Sequence, residues 1–86
     1  MANYNVLVRP SAAKELERLP DKPRRQIAKR LRALAEHPRP AGCEKLTGED
    51  LYRIRQGDYR VLYLIDDAIS TVTVVKIGHR REVYRN

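Results

Sequence analysis

Residues 51–63 read LYRIRQGDYRVLY, and the way they fold decides how the rest of the chain can be arranged. Gly57-Asp58, flanked by alternating apolar and polar residues, is a hairpin signal. With those two residues as the loop, Gln56 faces Tyr59 and Arg55 faces Arg60 across the two strands. Strand side chains alternate between faces, so Arg53, Arg55 and Arg60 share one face, continued by Leu62 and Leu64. Tyr52, Ile54, Val61, Tyr63 and Ile65 form the other. Like charges directly opposite one another on a sheet are destabilising. The arginine face therefore asks for an anion.

The flanking segments supply a cover for the apolar face. Tyr4 to Arg9 is a short β-branched run closed by Pro10, a first strand. Ser11 is placed to cap a helix in which Ala12, Leu16 and Leu19 share a face, and Pro20 stops it. Asp21 is placed to cap a second helix, with Pro23 tolerated in its first turn. Ile27, Leu31 and Leu34 repeat at helical spacing to about Glu36, ahead of Pro38. Pro38 to Asp50 reads as a polar linker. Three strands follow, Leu51–Gln56, Tyr59–Asp66 and Ser70–Gly78, and His79 to Asn86 is a charged tail or a single helical turn. The expected fold is α+β: an N-terminal strand, an αα-hairpin, a three-stranded antiparallel meander and a short tail, with the helices on one face of the sheet.

At 86 residues the chain is expected to be one domain, 1–86, with a small core. Lys and Arg number 18 against 11 Asp and Glu, a net charge of +7, which favours a polyanionic partner. Cys43 is the single cysteine, so no internal disulfide forms and a reducing, cytoplasmic setting is expected. No signal-peptide pattern or membrane-length apolar run is present, and no membrane role is expected.

The catalytic inventory is narrow. No Ser–His–acid set, Gly-rich phosphate loop or metal-ligand spacing stands out, so neither a metal nor another cofactor is expected. His37, ahead of Pro38, suits a helix C-terminus, Cys43 an inert loop position, and Glu82 an ion pair. The arginine face is more specific, because Asp and Glu are absent from the stretch that forms it. Guanidinium groups grip phosphate with a planar fork and keep their charge. At the end of the last strand, Lys76 to Arg81 turns basic, bringing Arg80 or Arg81 towards the same concavity with Tyr84 within reach. His79 is the imidazole nearest that surface, and Leu62 with Leu64 offers an apolar floor for a base or a partner helix. Such a set suits metal-free RNA cleavage: the 2′-hydroxyl attacks the adjacent phosphate, and fixed positive charge stabilises the transition state.

The order R-I-R (53–55), G-D-Y-R-V-L-Y (57–63) and G-H-R-R-E-V-Y (78–84) resembles the RelE branch of the RelE/ParE toxin superfamily, across nearly the whole chain. The resemblance implies a small basic toxin made with a cognate antitoxin, which cuts mRNA in the ribosome without a metal. It assigns Arg53, Arg55, Arg60, Arg80 and Tyr84 to catalysis, with His79, Arg81 and Leu62 at the substrate. The best-known member has lysines in place of Arg53 and Arg55, which removes a candidate base here. The segment between Arg80 and Val83 is also shorter. Two other readings stay open: a ParE-like DNA gyrase inhibitor, and a non-catalytic RNA- or antitoxin-binding relative.

Overall fold

A computed structural model of the chain describes residues 3–46 and 50–80. It has the element order β1 (Asn5–Val8), α1 (Pro10–Glu17), α2 (Asp21–Ala33), β2 (Glu44–Lys45), β3 (Leu51–Gln56), β4 (Tyr59–Asp66) and β5 (Thr71–His79). The strands make one sheet in the order β1-β5-β4-β3-β2. β1 runs parallel to β5, and the other pairs are antiparallel. The two helices and the loop after them carry the chain from β1 at one edge to β2 at the other, and the strands β2 to β5 then return it so that β5 pairs with β1.

The hairpin has the expected register, with Gln56 opposite Tyr59 and Arg55 opposite Arg60. Its turn needs a positive φ at the first loop residue, and Gly57 supplies it at 59°. Tyr52, Ile54, Val61, Tyr63 and Ile65 pack beneath Ala12, Ile27, Leu31 and Leu34, with Leu16 and Leu19 at the margin. Tyr63 is fully buried, and its ring stacks on Tyr52 with centroids 5.9 Å apart. Its hydroxyl donates to the carbonyl of Pro38 at 2.8 Å, so the polar tip does not go unsatisfied in the core.

Helix ends depart from expectation in small ways. α1 starts at Pro10, not after a Ser11 cap; Arg9 is the capping residue and makes no side-chain cap bond. Proline's fixed φ and missing N–H suit the first helical position. At α2 the capping position falls on Pro20, and Asp21, one residue inside, forms ion pairs with Arg24 and Arg25. α2 itself closes at Ala33, and the chain to Glu36 continues as tighter turns, with Ala35 N–H bonded to Arg32 and Glu36 N–H to Ala33.

Two features of the sheet were not expected. The linker is not wholly a loop: Glu44 and Lys45 form an edge strand on β3, with Glu44 opposite Arg53 and Lys45 opposite Tyr52. β5 also carries an irregularity. Leu62 pairs with Lys76 but Tyr63 with Val74, so Val75 is an extra residue and the alternation slips by one. That slip lets Val72, Val74 and Ile77 all reach the core. The C-terminal tail, with Arg81 and Tyr84, lies outside the described residues.

Candidate phosphate-binding face

Helices cover one face of the sheet, and the register sorts the open face into rows. Glu44, Arg53, Leu62 and Lys76 lie side by side across four strands. Toward the hairpin turn the next row is Arg55, Arg60 and Gly78. In the opposite direction lies an apolar row of Leu51, Leu64, Thr73 and Leu7. The face thus grades from arginines at the hairpin end to aliphatic residues at the other.

Arg53, Arg55 and Arg60 are brought together as expected. They do not stand there alone. Glu44 Oε2 lies 2.6 Å from Arg53 Nη2, and its Oε1 lies 3.5 Å from Arg55 Nη2. The bond to Arg53, then the charges of Arg53, Arg55 and Arg60, hold the Glu44 carboxyl below its ordinary range. The hairpin stretch itself carries no acid on this face, as expected, but the face is not free of acids. The acid arrives from a strand outside the hairpin, where two charged residues give no β-pattern to read.

The arginines differ in freedom. The Arg53 side chain is 15% exposed and that of Arg55 54%. Arg60 donates to the carbonyl of Tyr59 at 3.3 Å. From the helix side, Arg30 Nη1 donates to the carbonyl of Arg55 at 3.1 Å and to Gln56 Oε1 at 3.2 Å. The hairpin end is thereby fixed to α2, while the guanidinium of Arg55 projects from the other face.

Around this centre the expected partners divide. The Arg80 N–H donates to the Asp58 carbonyl at 2.8 Å, continuing the ladder one residue past β5. Strand alternation returns Arg80 to the side of Gly78 and Arg60. His79 instead pairs with Tyr59, and the two rings meet edge to face at 5.9 Å. Tyr59 packs against the core, so His79 belongs to the helix side of the sheet and not beside Arg60. Leu62 is also corrected as an open floor: it is only 6% exposed, flanked in register by the long stems of Arg53 and Lys76. Leu64, half-buried in the apolar row, is the more accessible leucine.

Lys76 is the cation that the sequence reading missed on this face. Counting backward from Gly78, opposite Arg60, would have found it; counting forward from Thr71 fails at the irregularity. Among the described residues, no cluster of three His, Cys, Asp or Glu could hold a metal ion.

The loop that leads into β2 is tied down. Arg39 bonds both carboxylate oxygens of Asp67, at 2.8 and 3.2 Å, and its Nε donates to Tyr52 Oη at 3.2 Å. Tyr4 Oη donates to the same Asp67 at 2.6 Å. The bonds from Arg39 and then Tyr4 hold the Asp67 carboxyl below its ordinary range.

The fold, two helices on one face of a five-stranded sheet, is shared with solved toxins. A family model described as the ParE toxin of type II toxin–antitoxin systems, parDE, matches residues 6–84, and the chain belongs to this toxin family. It is 34% identical over 84 residues to Toxin RelE of Mycobacterium tuberculosis, covering 95% of this chain and 87% of that protein. Its fold is similar to the archaeal RelE–RelB complex from Pyrococcus horikoshii OT3, with TM-score 0.84 and 30% identity over 93% of this chain and 98% of that one. It is also similar to a mutant form of E. coli toxin RelE in the free state, with TM-score 0.79 and 32% identity over 95% and 90% of the two chains. These relatives put the chain in the RelE branch of the toxin superfamily.

Proposed function

We propose that this toxin is a metal-independent endoribonuclease that cuts mRNA, on the ribosome, through its arginine face. The observation that carries the proposal is the row of Arg55 and Arg60 directly opposite each other, on the open side of the sheet and beside Arg53. A phosphodiester between them would meet fixed, permanently charged donors. In the reaction the 2′-oxygen bonds to phosphorus as the bond to the 5′-oxygen breaks. One proton leaves the 2′-hydroxyl and another reaches the departing oxygen. The products are a 2′,3′-cyclic phosphate and a 5′-hydroxyl end. Negative charge gathers on the non-bridging oxygens in the transition state, where Arg53, Arg55, Arg60 and Arg80 stabilise it. Tyr84 is proposed for proton transfer or base stacking, and Arg81 for substrate contact.

A cognate antitoxin is the proposed partner, as relatives have been solved in RelE–RelB complexes. The graded face suits a segment carrying acids toward the arginines and apolar residues toward Leu64 and Leu7. A second reading is a gyrase inhibitor, because the matching family model is described by ParE. Primer extension on translated messages after induction separates the two. Discrete cuts with 5′-hydroxyl ends are expected. Intact messages with arrested growth would favour the gyrase reading.

A further inference from the structure

The contact of Glu44 with two arginines has uneven halves. One half is short and sheltered: 2.6 Å to an Arg53 side chain that is 15% exposed. The other is long and wet: 3.5 Å to an Arg55 side chain that is 54% exposed. A charge-assisted bond of the first kind holds its partners in place, whereas an exposed pair of the second kind is worth little and exchanges readily. We propose that Glu44 is the internal counter-ion of the phosphate site, fixing Arg53 in position and occupying Arg55 until a phosphate displaces it. The inference rests on the arginine face being a phosphate site, and it makes Glu44 a positioning residue.

Three observations support it. Glu44 is in register with Arg53, so its carboxylate reaches the arginine from a ladder position and not from a wandering loop. The segment before it is anchored where it begins, through Pro38 to Tyr63 and through Arg39 to Asp67 and Tyr52. The carboxyl is also held below its ordinary range by Arg53 first, with Arg55 and Arg60 contributing, which favours its charged form. An empty pair of opposed arginines would repel; with Glu44 nearby, part of that repulsion is screened before RNA arrives. The incoming phosphate then exchanges one anion for another at Arg55, while Arg53 does not have to be ordered anew.

The consequence is a competition that can be measured. In the full-length toxin, Glu44→Gln should bind an RNA made uncleavable by a 2′-deoxy position about two- to fivefold more tightly, the range of an exposed ion pair. The KM for cleavable RNA should fall by a similar factor while kcat does not rise. Glu17→Gln, on the exposed side of α1, makes the same change in net charge and should have less effect. In an Arg55→Ala background the gain from Glu44→Gln should vanish. A gain no larger than that of Glu17→Gln, or one that persists without Arg55, would overturn the inference. So would unchanged affinity with collapsed kcat, which would assign the carboxylate to the chemistry itself.

Inorganic phosphate offers a test without any variant. Titrated into the unaltered toxin and followed by NMR of the arginine side chains, it should shift Arg55 while Arg53 stays in place. Equal shifts, or none, would contradict the counter-ion role. Phosphate binding at Arg55 without RNA binding would leave that role standing and remove the ribonuclease reading.

Discussion

Arg55 and Arg60 stand directly opposite each other across the β3–β4 hairpin, on the face that the helices leave open. Cross-strand like charges cost a few tenths to about 1 kcal/mol relative to neutral pairs. Neutralising one of them should therefore leave the free toxin as stable as the parent or slightly more so. Urea unfolding of Arg55→Gln is the check: a midpoint at or above that of the parent is expected. A clear loss would show that the pair is held for the fold and not for a ligand. Adding phosphate should raise the melting temperature of the parent more than that of the variant.

The apolar side of the hairpin depends on α2. Leu31 is 5% exposed and belongs to the cluster that covers Tyr52, Ile54 and Tyr63. Leu31→Ala should cost about 2–5 kcal/mol, transfer and cavity together. Chemical denaturation yields the number directly, and a cost below about 0.5 kcal/mol would mean that the site had collapsed around the deletion or that the leucine is exposed.

Acid should loosen the loop that delivers Glu44. The folded carboxyls of Asp67 and Glu44 are both held low, chiefly by hydrogen bonds from Arg39 and Arg53 respectively. A depressed folded pKa contributes stability above the unfolded value and loses it as pH falls through the folded one. The loss should begin below about pH 4, where unfolded carboxylates take up protons. Melting temperature plotted against pH should fall less steeply in Asp67→Asn than in the parent. Parallel curves would mean that the Arg39–Asp67 pair contributes nothing.

Most of this architecture was legible in the sequence, and the exceptions have physical causes. The hairpin register followed from Gly57-Asp58 and strict alternation, and the helix phase from Ile27, Leu31 and Leu34. β2 was not legible, because Glu44-Lys45 is short and charged, as edge strands often are. The placement of Lys76 and His79 was hidden by the irregularity at Val75, which shifts side chains to the other face without altering composition. The sequence therefore placed Arg53, Arg55 and Arg60 on one face, but not the Lys76 and Glu44 that share it.

Partner binding should respond to salt. An antitoxin segment that sets acids against Arg55 and Arg60 would be attracted through exposed charges, which are screened beyond about 8–10 Å at physiological ionic strength. Affinity measured by calorimetry should weaken as salt rises, and more steeply for the parent than for Arg55→Gln. Salt-independent affinity would place the partner elsewhere, on the apolar row or the helices.

The most direct measurement is the single-turnover rate of mRNA cleavage on programmed ribosomes, compared between the parent, Arg60→Lys and Arg60→Ala. Arg60→Ala should lose on the order of 100-fold or more, as expected for removal of a preorganised transition-state contact. Arg60→Lys should recover only part, since a point charge replaces a fork. Circular dichroism and melting temperature should be unchanged in both. If folded Arg60→Ala cuts mRNA at the parental rate, or stops growth fully with messages intact, the arginine face is not where the toxin does its chemistry.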